Sequence, residues 1–84
     1  MERVVKRVVL FLVRECAVCA RVAQYLRERG VEFEERDVRS DPQALAELQR
    51  KTHQNQVPVL RVDEEYVVGY DPAEIDRALE SKAG

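Results

Sequence analysis

The sequence predicts an α/β domain whose elements follow in the order β-α-β-α-β-β-α. An apolar run at residues 8–13 has the composition of a buried strand and leads directly into a helical pattern. Two Asp-Pro pairs, Asp41-Pro42 and Asp71-Pro72, mark the starts of two later helices. An acidic turn at residues 63–65 separates two short apolar segments, as in a hairpin. We therefore expect a four-stranded mixed sheet with helices on both faces.

The first half of the chain predicts a strand, a helix and a second strand. The first strand is expected over residues 4–13, and its fully apolar second half indicates burial on both faces. The next segment places apolar residues at helical spacing and ends at Gly30, a residue suited to the left-handed conformation. These apolar residues are Cys19, Val22, Ala23 and Leu26. A strand nearer the sheet edge is expected over residues 31–38, parallel to the first because a helix joins them.

The second half predicts a helix, a hairpin and a last helix. Asp41 or Ser40 caps the second helix. The buried stripe of this helix is expected to consist of Ala44, Leu45 and Leu48. Residues 51–56 are polar without periodicity and are expected to form a loop. Residues 57–62 and 66–68 form the hairpin strands, after which Asp71 caps the last helix.

Length and charge limit the classes of protein that this chain can represent. Its 84 residues predict a single domain over residues 1–84, and its net charge of −2, with both signs interspersed, argues against nucleic-acid binding. The apolar run at residues 8–13 is too short to span a membrane. The opening residues 1–3 lack the apolar segment of a signal peptide. We therefore expect a cytoplasmic protein with no membrane partner.

The chemistry is expected at Cys16-Ala17-Val18-Cys19, which contains the only two cysteines of the chain. They lie between a predicted strand and a predicted helix, and the N-terminus of a helix stabilises a thiolate. A thiolate attacks a disulfide, and a second thiol one turn away can resolve the mixed disulfide. Cys16, nearer the helix start, is expected to be the attacking thiol and Cys19 the resolving thiol.

Three other roles for a CxxC pair compete with this one. A structural zinc site needs four ligands, and only His53 and carboxylates remain to complete one. A Cu(I) site can be made by two thiolates, and two free cysteines can simply pack in a core. The strand–CxxC–helix context favours the redox role, so no bound metal is expected.

The element order and three short motifs resemble those of a known family. The motifs are Cys16-Ala17-Val18-Cys19, Val57-Pro58 and Gly69-Tyr70-Asp71. Together they are similar to the thioredoxin fold, and the short chain resembles a glutaredoxin. This resemblance implies a thiol–disulfide oxidoreductase that reduces protein disulfides or glutathione mixed disulfides. It also implies that no cofactor is bound and that glutathione is a candidate reductant.

The resemblance also implies which residues bind the substrate. The Val57–Pro58 bond would be cis, with Pro58 beside the cysteines and the Val57 backbone free to hydrogen-bond a sulfur-bearing substrate. Gly69, Tyr70 and Asp71 would lie beside glutathione. The family's basic residue near the cysteines usually lies slightly upstream of Arg14, so Arg14 would either pair with a glutathione carboxylate or the Cys16 thiolate, or be a solvated turn charge. Glu15, by its own charge, would oppose that thiolate. His53 is expected to be a surface residue.

Departures from the glutaredoxin pattern leave the electron donor open. Ala17 and Val18 replace the frequent Pro-Tyr pair, Val68 replaces a glycine, and Pro72 replaces an acidic residue. The run of residues 69–72, Gly-Tyr-Asp-Pro, is instead similar to NrdH-type redoxins, which thioredoxin reductase recharges. The expected partners are therefore disulfide-bearing proteins and either glutathione or a flavoenzyme of that type. The chain is expected to act as a monomer.

Two further functions compete with the redoxin. In an iron–sulfur glutaredoxin, a dimer holds a cluster through one cysteine per chain and glutathione. A copper chaperone also carries CxxC after its first strand, but its order is β-α-β-β-α-β. A helix is predicted after residues 31–38, and no Met lies two residues before Cys16. Both facts count against the copper chaperone.

Overall fold

The computed structural model describes residues 7–80. Its elements are β1 Val8–Leu12, α1 Ala17–Glu28, β2 Glu34–Asp37, α2 Pro42–Thr52, β3 Val59–Val62, β4 Glu65–Val68 and α3 Pro72–Glu80. The predicted order is therefore confirmed, including the helix after the second strand that separates it from a copper-chaperone order. No helix within residues 7–80 is long and apolar enough to cross a membrane.

The four strands form one mixed sheet in the order β2-β1-β3-β4. β1 and β2 are parallel, and β2 lies at the edge of the sheet, as predicted. β3 runs antiparallel to β1, with Val59 opposite Phe11, and β4 runs antiparallel to β3, with Val68 opposite Val59. The end of β1, the start of β3 and the end of β4 therefore meet at the same end of the sheet.

Helices cover both faces of the sheet because alternate strand residues point to opposite sides. On one face, α1 and α3 pack on β1, β3 and β4. The buried residues of this layer are Val8, Leu10, Val22, Ala23, Leu26, Leu60, Val62, Val67, Ile75 and Ala78. On the other face, α2 packs on β1 and β3. The buried residues of that layer are Val9, Phe11, Val38, Ala44, Leu48 and Val59.

The predicted helix ends are confirmed by backbone contacts. Asp41 caps α2, and its Oδ1 accepts the N–H groups of Gln43 and Ala44 at 3.1 and 3.2 Å. Asp71 Oδ1 accepts the N–H of Glu74 at 3.3 Å at the start of α3. Gly30 follows α1 with φ +72°, the left-handed conformation expected there. These capping contacts satisfy backbone groups that would otherwise be unpaired at the ends of the helices.

Several element boundaries differ from the predictions. β2 begins at Glu34 rather than residue 31, because the Val31 N–H still closes α1 on Leu26 O at 3.0 Å. α2 continues to Thr52, whose hydroxyl donates to Leu48 O at 2.6 Å, so the predicted loop over residues 51–56 begins later. β3 begins at Val59 rather than residue 57. The expected first strand over residues 4–13 is Val8–Leu12, and residues 4–6 lie outside the described range.

Candidate active site

Cys16 is the N-cap residue of α1. Its backbone is extended, with φ −111° and ψ 111°, and its Sγ accepts the N–H of Cys19 at 3.1 Å. Its carbonyl accepts the N–H of Ala20 at 3.0 Å and so begins the helix. The sulfur therefore lies at the positive end of the helix dipole and accepts one of the N–H groups that the first turn leaves unpaired. Cys16 is therefore the one of the two cysteines whose sulfur lies at the start of α1.

Cys19 has the opposite environment. Only 3% of this residue is exposed, and it packs on the inner face of α1. Burial, and after it the hydrogen bond with Cys16, raise the pKa of the Cys19 thiol from 9.0 to about 11, although the Val13 backbone acts in the other direction. Cys19 is therefore a neutral thiol near pH 7 in the reduced protein. Both cysteines are free, one half-buried and one buried.

The turn that presents Cys16 is made by Arg14 and Glu15. Glu15 has φ 60°, a left-handed conformation that costs a residue with a Cβ about 1 kcal/mol. Both side chains are exposed. Arg14 makes no hydrogen bond or ion pair within the part of the chain that the structure describes. The roles predicted for Arg14 toward the thiolate or a carboxylate stay predictions.

The Val57–Pro58 peptide bond is cis, as the resemblance implied. Pro58 is buried and Val57 is half-buried, at the end of the sheet where β1 leads into Cys16. The Gly69 N–H donates to Pro58 O at 2.8 Å, and Gly69 has φ +80°, which glycine adopts without penalty. The structure thus brings the Val57-Pro58 segment and the Gly69-Tyr70-Asp71 segment together, as a common substrate site requires.

Tyr70 is held against α1 by an aromatic contact. Its ring packs edge-on to the ring of Tyr25, with centroids 6.0 Å apart, and the Arg21 guanidinium lies 5.5 Å from the Tyr70 centroid. Tyr25 in turn donates its hydroxyl to Asp76 Oδ1 at 2.7 Å, which links α1 to α3. Tyr70, Tyr25 and Arg21 line a groove of about 390 Å³ that extends to Ala17, next to Cys16.

Sequence reasoning did not identify Tyr25 or Asp76 as residues that position the predicted site. They lie 51 residues apart, and no local pattern pairs them. The sequence also did not point to Arg27 and Glu35, which line a cavity together with both cysteines. Arg27 is exposed, as its helical position indicated, yet its guanidinium reaches β2 across this cavity.

A strand–CxxC–helix unit and a cis proline at the same end of a mixed sheet, in the order β-α-β-α-β-β-α, define a redoxin of the thioredoxin-like class. The Glutaredoxin family profile matches residues 8–67, which cover most of the chain and both cysteines. The chain belongs to the glutaredoxin family and is a thiol–disulfide oxidoreductase.

Relatives of known sequence support this assignment. The chain is 36% identical over 64 residues to a glutaredoxin of Pseudomonas aeruginosa, which covers 76% of each chain. It is 31% identical over 65 residues to an uncharacterized glutaredoxin-like 8.6 kDa protein encoded in a rubredoxin operon of Clostridium pasteurianum, covering 77% of this chain and 87% of that one.

A solved structure shows the same fold. The crystal structure of a glutaredoxin from Archaeoglobus fulgidus superimposes with a TM-score of 0.82, covering 90% of this chain and 88% of that one. The two sequences are only 18% identical, so this likeness supports the fold alone.

Proposed function

We propose that this protein reduces disulfide bonds in other proteins, and mixed disulfides of glutathione, with Cys16 as the nucleophile and Cys19 as the resolving thiol. The observation that carries the proposal is the asymmetry of the pair. Cys16 lies at the helix N-terminus and accepts an N–H, whereas Cys19 is buried beneath it. One thiol is thus placed to meet a substrate disulfide and the other to meet only Cys16.

The reaction proceeds in two exchanges. The Cys16 thiolate attacks one sulfur of the substrate disulfide, the substrate S–S bond breaks, and the leaving sulfur takes up a proton as a thiol. Cys19 then loses its proton and attacks Cys16 Sγ. This releases the second substrate sulfur and leaves a Cys16–Cys19 disulfide in the oxidised protein. Two electrons pass from the dithiol to the substrate, and a reductant must return them.

We propose that glutathione is a weak reductant and that a flavoenzyme of the thioredoxin-reductase type recharges the protein faster. The Asp71 carboxylate, the expected ligand of the glutathione amine, is engaged as the α3 cap. Pro72 has no N–H to offer an anion at the helix start. Val68, half exposed at 50%, and Tyr70 add bulk beside the same segment.

The proposed chemistry also indicates a cellular compartment and a set of partners. A CxxC dithiol that must be re-reduced after each turnover suits a reducing compartment, which supports a cytoplasmic location. The expected partners are disulfide-bearing proteins and the reductase, with the protein acting as a monomer and without a resident metal or cofactor.

The test is a pair of coupled assays that follow NADPH oxidation with a disulfide-bearing protein as substrate. One assay contains glutathione and glutathione reductase, and the other contains a thioredoxin reductase. We expect turnover in both and the higher rate with thioredoxin reductase. Cys16→Ser should abolish turnover in both assays, and Arg39→Gln, an exposed change in the β2–α2 turn, is the control.

Two results would contradict the proposal. Equal or faster turnover with glutathione would show that the groove beside Asp71 is a full glutathione site. Visible iron–sulfur absorption bands in the protein as purified, without turnover in either assay, would favour a cluster carrier.

A further inference from the structure

The two thiols share a small cavity with three charged side chains. The cavity, of about 220 Å³, lies between the end of β1, one side of α1 and strand β2. Ala20 and Ala23 of α1 line it, and their short side chains leave the space open. Among the residues that the structure describes, the charged groups lining it are Glu15, Arg27 and Glu35. These are the charged groups that line the same cavity as Cys19.

Arg27 and Glu35 form an ion pair at the rim of this cavity. Arg27 Nη2 of α1 lies 3.5 Å from Glu35 Oε2 of β2. The Arg27 guanidinium also lies 5.6 Å from the ring centroid of Phe33, a residue outside the lining of this cavity. The two side chains are 64% and 46% exposed, so solvent screens their charges and their effect on a neighbouring group is modest.

The second exchange depends on the ionisation of Cys19. In the mixed disulfide, Cys16 carries no charge, and Cys19 must lose its proton before it can attack. A cation facing a thiol favours the thiolate, and a carboxylate disfavours it. We propose that Arg27 and Glu35 act as a pair of positioning residues that set the rate at which Cys19 resolves the Cys16 mixed disulfide, with Arg27 accelerating this step and Glu35 slowing it.

This inference rests on the proposed dithiol function and names residues that the CxxC motif does not contain. In the step itself, the Cys19 proton passes to solvent in the cavity, and the Cys19 thiolate forms a bond to Cys16 Sγ. The bond between Cys16 and the substrate sulfur breaks, and the substrate sulfur leaves with the electron pair. Arg27 and Glu35 exchange no atoms or electrons, and their charges alone shift the proton equilibrium of Cys19.

The directions in which two variants change the resolving rate distinguish an electrostatic role of the ion pair from a structural one. Arg27→Gln and Glu35→Gln both break the same ion pair, so a purely structural role predicts that they change the resolving step in the same direction. The electrostatic role predicts that Arg27→Gln slows the step and that Glu35→Gln accelerates it. The double variant, which removes one charge of each sign, should lie close to the wild type.

The experiment is a stopped-flow reaction of reduced protein with dithiodipyridine, an uncharged chromogenic disulfide. The first equivalent of pyridinethione reports the attack of Cys16, and the second reports resolution by Cys19. At pH 7 we expect the second phase to slow about twofold to fivefold in Arg27→Gln and to accelerate by a similar factor in Glu35→Gln. The midpoint of the pH profile of the second phase should shift to higher pH in Arg27→Gln and to lower pH in Glu35→Gln.

Matched controls carry the same charge changes outside the cavity. Arg39→Gln and Glu32→Gln alter exposed residues that do not line it, and they should leave both phases unchanged. Shifts of the same sign in Arg27→Gln and Glu35→Gln, or no shift in either, would overturn the inference and leave the dithiol function standing. If the wild type released only one equivalent of pyridinethione, the dithiol function itself would be overturned, and the inference with it.

Discussion

The backbone N–H of Cys19 donates a hydrogen bond to the Sγ of Cys16 across 3.1 Å. The first turn of α1 thus gives the Cys16 sulfur a hydrogen-bond donor, which stabilises negative charge. The same turn places the Cys19 sulfur beneath it, away from water. Because Cys19 is only 3% exposed, a disulfide substrate reaches Cys16 first. The two thiols of one short motif therefore have different environments, and the roles proposed for them rest on that difference.

The first prediction is that Cys16 is the fast-reacting thiol. Reduced Cys19→Ser should be alkylated by iodoacetamide at pH 7 at least about tenfold faster than reduced Cys16→Ser, because the remaining thiol of the latter is buried and neutral. The measurement is the alkylation rate against pH for both variants, followed by mass spectrometry. If Cys16→Ser retains the fast thiol, the assignment of nucleophile and resolving thiol is reversed.

The second prediction concerns alkaline stability of the reduced protein. The folded protein raises the pKa of Cys19 to about 11, whereas the unfolded chain ionises it near 9.0. The stability gained by keeping this thiol neutral is complete below pH 9 and is lost as the pH rises from about 9 to about 11. The free energy of unfolding should therefore fall by about 1 kcal/mol between pH 8 and pH 10.

Denaturant titrations of reduced wild type and Cys19→Ala at each pH measure this effect. The variant should lose the pH dependence assigned to Cys19, whatever its absolute stability. Tyr66, whose pKa burial and its hydrogen bond to Glu47 raise to about 12, loses its contribution mainly above pH 10 and so interferes little. An equal slope in both proteins would show that Cys19 is not the group responsible.

The third prediction concerns Asp71, which has two candidate roles. Asp71→Ala removes the side-chain acceptor of the Glu74 N–H and should lower the free energy of unfolding by about 1 kcal/mol. The glutathione-coupled rate should fall only modestly. Asp41→Ala is the matched control, since it removes the corresponding cap of α2 far from the predicted substrate segment. A large rise in the glutathione KM for Asp71→Ala alone, at unchanged stability, would assign the carboxylate to glutathione binding.

The fourth prediction concerns His53, which ends α2. Its φ of 58° is left-handed, and its N–H donates to Gln49 O at 2.9 Å, a position that glycine fills without steric cost. His53→Gly should raise the free energy of unfolding by about 0.5–1 kcal/mol, measured by denaturant titration. Asn55→Gly, two residues on and without a positive φ, should not stabilise the protein. A destabilised His53→Gly would mean that the imidazole makes a contribution beyond its backbone conformation.

The local patterns were sufficient for the order of elements and for the chemical motif. Asp41, Asp71 and Gly30 mark helix ends because capping depends on residues within one turn of each other. The spacing of Cys16 and Cys19 determines which thiol lies at the helix N-terminus and which lies inside, since 3.6 residues make one turn. The pairing of β1 with β2 followed from the helix that joins them.

Only the tertiary structure decided which distant side chains surround that motif. The contact of Arg27 with Glu35 depends on how α1 lies across β2, and that of Tyr25 with Asp76 depends on how α1 packs against α3. No short-range pattern encodes either contact, because each is the outcome of burying the apolar faces of several elements at once. The start of β2 at Glu34 also depends on tertiary structure, because it is set by where this segment begins to pair with β1.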